Sequence, residues 1–64
     1  MKRNLLLKHL DNEKCVLYRE GSNHSMFRNP KNSKKAAVPR HSNIDEYLAF
    51  DICKQLEIPK PKIN

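Results

Sequence analysis

Sixty-four residues hold one small domain, and 13 Lys and Arg against 7 Asp and Glu give a formal net charge of +6. With 38% apolar residues and no Trp, such a chain buries only a thin layer between two elements. That argues against a large enclosed substrate pocket and excludes a cofactor-binding α/β enzyme. No apolar run approaches the roughly 20 residues of a membrane span.

The first element is a short helix over Lys2 to Leu10, free of breakers, with Leu6, Leu7 and Leu10 forming one apolar stripe. Lys8-His9 closes the Leu5-Leu6-Leu7 run before it can read as a secretory leader. Asp11-Asn12 are turn formers that end the helix. Cys15-Val16-Leu17-Tyr18 is β-prone, and Cys15 with Leu17 is expected on the core side. Glu20-Gly21-Ser22-Asn23 then turns the chain, with Gly21, the sole glycine, expected to supply a positive φ. His24 to Arg28 is the second strand. Asn29-Pro30-Lys31-Asn32 carries Asn at i and Pro at i+1, a type I turn signature. Lys34 to Val38 is the third strand, ended by Pro39.

A second helix is expected from Asp45 to about Glu57, with acids in its first turn. Ile44, Leu48, Ile52 and Leu56 recur every four residues beside Ala49 and Cys53, which predicts a broad core face. Pro59 and Pro61 stop it, leaving residues 59–64 as a frayed tail after a single domain over 1–58. The order α-β-β-β-α predicts an α+β fold, a three-stranded antiparallel sheet with both helices on one face and the other face open.

Charge is uneven along this chain. From Lys14 to His41 seven cations oppose Glu20 alone, a net +6, whereas Ser42 to Ile58 carries four acids against Lys54, a net −3. The middle third therefore suits a nucleic-acid backbone, and a solvated, solubilising surface is the plain alternative.

Few groups offer chemistry. His9, Cys15, His24, His41 and Cys53 show no paired metal-ligand spacing, so neither a metal nor a cofactor is expected. The two cysteines read as reduced, half-buried packing residues of a cytosolic chain. A Ser–His–Asp triad would need a pocket this chain does not build. His24 differs, because period-2 alternation around a core-facing Phe27 sends Ser25 inward and His24, Met26 and Arg28 outward. An imidazole beside cations can take the proton from a ribose 2′-OH or protonate a leaving 5′-oxygen, while Arg and Lys stabilise the phosphorane. An exposed His is also common as plain polar surface. His9 reads as surface, and His41 either braces the start of the second helix or lines the edge of an RNA surface.

Lys2–Leu10, Leu17–Phe27, Asn29-Pro30, Val38–His41 and Ile52–Ile58 together resemble the HicA (YcfA-like) toxins in nearly the whole chain and in the right order. Gly21-Ser22-x-His24-x-x-Phe27 is the sharpest piece. The resemblance implies a double-stranded-RNA-binding-domain-like fold and a cytoplasmic ribonuclease cleaving mRNA, with its catalytic histidine at His24. It further implies neutralisation by a HicB-like antitoxin, in a complex that binds operator DNA. Two features depart from the family: Asp11–Lys14 stand where many members have a glycine, and Asn23 stands where many have a second histidine.

The expected reaction is metal-independent attack of the 2′-OH through His24, with Arg19, Ser22, Arg28, Lys34, Lys35, Arg40 and His41 binding the RNA. Arg28, Lys34, Lys35 and His24 are also where an acidic antitoxin would lie, with Met26 as its apolar anchor. The alternatives are a non-catalytic RNA-binding domain and a protein that only binds its antitoxin and helps it repress their promoter.

Overall fold

The computed structural model describes residues 1–61. Its elements run α1 (Arg3–Asn12), β1 (Val16–Glu20), β2 (His24–Asn29), β3 (Lys34–Pro39) and α2 (Glu46–Leu56). The strands form one antiparallel sheet in the order β1-β2-β3. Leu6 and Leu10 from α1 and Ala49, Ile52, Cys53 and Leu56 from α2 join Phe27, Ala36 and Val38 in one core, with Cys15 and Ile44 beside them. Both helices therefore cover the same face of the sheet, and the α+β order expected from the sequence holds.

Chain ends of helices are closed by backbone geometry. After α1, Lys14 takes φ 68°, its N–H bonds the Asp11 carbonyl at 3.0 Å, and the Cys15 N–H bonds Leu10 at 2.9 Å. After α2, Glu57 takes φ 57° while the Ile58 N–H reaches the Cys53 carbonyl at 3.0 Å. Both are Schellman closures built without glycine, at a backbone cost of about 1–2 kcal/mol each. The N-terminal end of α1 is pinned differently. The Arg3 N–H bonds Ser42 O at 2.9 Å, the Ile44 N–H bonds Met1 O at 2.7 Å, and Lys2 bridges Asn43.

The β2–β3 hairpin turns over Pro30–Ser33, where the Asn32 and Ser33 N–H groups both reach Asn29 O, at 3.3 and 2.8 Å. Ser33 takes φ 60°. Asn29 is buried but satisfied: its Nδ2 donates to Leu56 O at 2.8 Å and its Oδ1 accepts the Lys31 N–H at 3.1 Å. That ties the hairpin to the end of α2.

Four expectations are corrected. Gly21 does not have positive φ; the left-handed residues are Lys14, Ser33 and Glu57. A Cβ on Gly21 would instead sit 3.2 Å from the His24 carbonyl oxygen, which accepts the Gly21 N–H at 2.8 Å. Close approach, not dihedral freedom, is what glycine supplies there. Leu17 is 49% exposed, because β1 is the edge strand that the helices leave uncovered, whereas α2 packs over β3 at the other edge. Leu48 is also exposed, so the apolar face of α2 narrows to Ala49, Ile52, Cys53 and Leu56. Finally, residues 59–61 are not a loose tail: Pro61 is buried, Pro59 O contacts His9 Nε2 at 2.7 Å, and Lys60 lies 5.0 Å over the Phe50 ring. Residues 62–64 of the expected tail lie outside the described residues.

Candidate nucleic-acid interface

The face of the sheet away from the helices is set by the burial alternation of β2. Ser25, Phe27 and Asn29 are buried, whereas His24 is exposed and Met26 and Arg28 are half-buried. Across the ladder, Arg28 pairs with Val16 on one side and Lys35 on the other, Met26 with Arg19 and Ala37, and His24 with Pro39. Partners in register share a face, so Arg19, Arg28 and Lys35 join His24 and Met26 on the open side.

A bulge decides which residues of β1 reach that side. Leu17 pairs with Phe27, but Arg19 pairs with Met26 and Glu20 with Ser25, so one residue, Tyr18, is extra. Unbroken alternation from Leu17 would have set Glu20 opposite His24 and turned Arg19 toward the helices. With the extra residue, the cation takes the open face and the carboxylate leaves it. The Tyr18 ring is under Lys35 Nζ, 5.4 Å from the ring centroid. It is an exposed aromatic that the sequence reading had not placed in the site.

Glu20 on the opposite face is held in a polar cluster at one end of the sheet. Arg40 Nη2 donates to Glu20 Oε2 at 2.8 Å, and Arg40 Nε donates to Gly21 O at 3.0 Å. From α1, Arg3 donates through Nε to Pro39 O at 2.9 Å and through Nη2 to Ser25 Oγ at 2.8 Å. The Ser25 hydroxyl first, with smaller help from Arg40 and Arg3, holds the Glu20 carboxyl below its usual range against desolvation, which is second in size to the Ser25 bond. This cluster brackets the turn that displays His24 from both flanks, because Gly21 and Pro39 are its backbone partners.

Of the expected RNA contacts, Arg19, Arg28 and Lys35 share the open face with His24, Arg19 nearest to it in register. Ser22 is exposed in the turn before it. Lys34 departs: it pairs with buried Asn29, so it lies toward the helix side, and its Nζ is 3.7 Å from Glu57 Oε2. Arg40 stands past the end of β3 with Nε and Nη2 engaged, and His41 is exposed in the loop that follows. The His24 imidazole makes no hydrogen bond among the described residues. The two cysteines are free and buried, away from this face. No three His, Cys, Asp or Glu among the described residues group as metal ligands. No described helix is long and apolar enough to cross a membrane.

No family model, curated protein or solved structure matches the chain. The chemistry of the site therefore rests on the arrangement of its own residues.

Proposed function

We propose that the chain is an endoribonuclease that cuts mRNA through His24, the activity implied by its resemblance to the HicA toxins. The observation that carries this reading is a sheet face bearing Arg19, Arg28 and Lys35 with no carboxylate among the described residues, and an exposed imidazole at its end. Phosphates laid along that face meet cations at three register positions. With a scissile phosphate next to His24, the imidazole takes the 2′-OH proton as the 2′-oxygen attacks phosphorus. The bond to the 5′-oxygen breaks, a 2′,3′-cyclic phosphate forms, and the leaving oxygen takes a proton from solvent water. Arg19, whose register partner Met26 is two residues from His24, opposes the charge that gathers on the phosphorane, while Arg28 and its partner Lys35, four residues from His24 along the ladder, hold phosphates further along the strand. A HicB-like antitoxin would silence the enzyme by covering the same face with acidic groups, and the joint complex would bind operator DNA.

The test is His24→Ala. It should lower in vitro cleavage of a transcript by roughly 10²–10⁴-fold while leaving the circular dichroism spectrum and melting temperature unchanged. Cleavage should also stop at a site given a single 2′-deoxyribose, and proceed in EDTA. A variant that cleaves as fast as the parent removes the catalytic assignment and leaves a domain that binds RNA without cutting it.

A further inference from the structure

A depression of about 490 Å³ opens where the N-terminal end of α1 meets the segment after β3. Among the described residues its walls are Lys2, Arg3, Asn4, Arg40, Ser42 and Asn43: three cations, two amides and a hydroxyl, with the Glu20 carboxylate behind Arg40, 2.8 Å from its Nη2. Such a lining offers donors and positive charge, the chemistry of a phosphate site.

The walls are held in place. Arg3 is fixed by Pro39 O and Ser25 Oγ, Arg40 by Gly21 O and Glu20 Oε2, and Lys2 and Asn43 are bridged through their backbones. These bonds use Nε and Nη2 of each arginine and leave both Nη1 groups without a partner among the described residues. A guanidinium braced in this way gives up little conformational freedom when an anion arrives.

The depression also adjoins the turn of the proposed cleavage site. Arg40 grips Gly21, whose N–H bonds His24 O at 2.8 Å, and Arg3 grips Pro39, the register partner of His24. Arg3 reaches the inward-facing Ser25, so the depression lies round the end of the sheet from His24, and a strand that passes His24 and turns over that end meets Lys2 and Arg40.

We infer that this depression is a second phosphate subsite, which seats a backbone phosphate of the same RNA strand to one side of the scissile one. The inference rests on the open face being the RNA-cleaving surface and extends the substrate footprint beyond it. Lys2 and Ser42 belong to that footprint through their side chains, and neither takes part in the chemistry at His24.

The experiment measures binding of the intact chain to a 2′-O-methyl RNA octamer, which has no free 2′-OH to attack, as a function of salt. Each phosphate contact on a single strand contributes about 0.7 to the slope of log K against log salt. Lys2→Ala should lower that slope by about 0.7, and Ser42→Ala should weaken binding without changing it, since a hydroxyl releases no counterion. Inorganic phosphate alone should shift the backbone amides of Arg3, Asn4 and Asn43. A Lys2→Ala slope equal to the parent's, with Arg28→Ala still lowering it, overturns the subsite and leaves the open face standing. Absence of octamer binding by the parent, together with absence of transcript cleavage, would instead sink the underlying reading.

Discussion

Glu20 lies opposite Ser25 across the β1–β2 ladder, one place removed from the His24 position that unbroken pairing from Leu17 would give it. That single shift takes the only acid between Lys14 and His41 off the open face and hands it to Arg40. A carboxylate opposite His24 would repel a phosphate laid beside the imidazole. The positive character of the face is thus a matter of register as well as of composition.

Charge placement, and not charge count, should govern RNA affinity. Arg19→Ala and Lys34→Ala each remove one positive charge, so any difference between them reports position. Arg19→Ala should lower the salt slope for a single-stranded octamer by about 0.7. Lys34→Ala should leave it unchanged, since Lys34 lies on the helix side beside Glu57. Equal losses from the two variants would mean that binding follows overall charge alone.

The narrowed apolar face of α2 sets a second comparison. Ile52 is 1% exposed, so Ile52→Ala leaves a cavity and should cost about 2–5 kcal/mol. At roughly 4–8 °C per kcal/mol for a domain of this size, the melting temperature should fall by at least ~8 °C. Leu48, four residues earlier on the same helix, is 37% exposed. Leu48→Ala should shift melting by only a few degrees. Thermal unfolding followed by circular dichroism separates the two.

Alkaline stability should report the buried thiols. Burial first, then the nearby Cys15 and Glu13, pushes the Cys53 thiol from 9.0 to about 11. Burial likewise raises Cys15, with Glu13 adding to it. The native state holds these protons more tightly than the unfolded chain does. Their contribution is therefore complete below pH 9 and is lost as pH rises through about 11. Cys53→Ala should flatten the decline in unfolding free energy between pH 9 and 11. A parent whose denaturant midpoint stays constant over that interval would contradict the burial of Cys53.

Much of the architecture was legible because its signals are local. The leucine stripe of α1 and the alternation around Phe27 each report one element's periodicity, and each held, while the four-residue spacing of Ile44, Leu48, Ile52 and Leu56 held at every position but Leu48. The outward placement of His24 followed from the same alternation. What escaped the reading depends on relations between elements. Leu17 is apolar like the core residues, and only the limited reach of the helices over β1 exposes it. Lys34 and Lys35 are adjacent in sequence, but the ladder with Asn29 and Arg28 sends them to opposite faces. The bulge at Tyr18 has no signature in residue type, and Arg19's place on the open face depends on it. Lys2 and Arg3 read as the opening of a helix, and only the return of the chain through Ser42–Ile44 sets them beside Arg40.

The extra residue in β1 also bears on how the molecule avoids its own kind. All five residues of this edge strand are exposed, and Val16-Leu17-Tyr18 is a β-prone run whose far edge has no strand beside it among the described residues. A flat edge of that composition is a template on which a neighbouring copy can extend the sheet. The kink interrupts the even spacing of amide and carbonyl groups that an incoming strand must match, and Arg19 next to it sets like charge against like charge in a parallel, in-register pair. The irregularity that clears the open face of acid thus also guards an otherwise sticky border against fibrous growth.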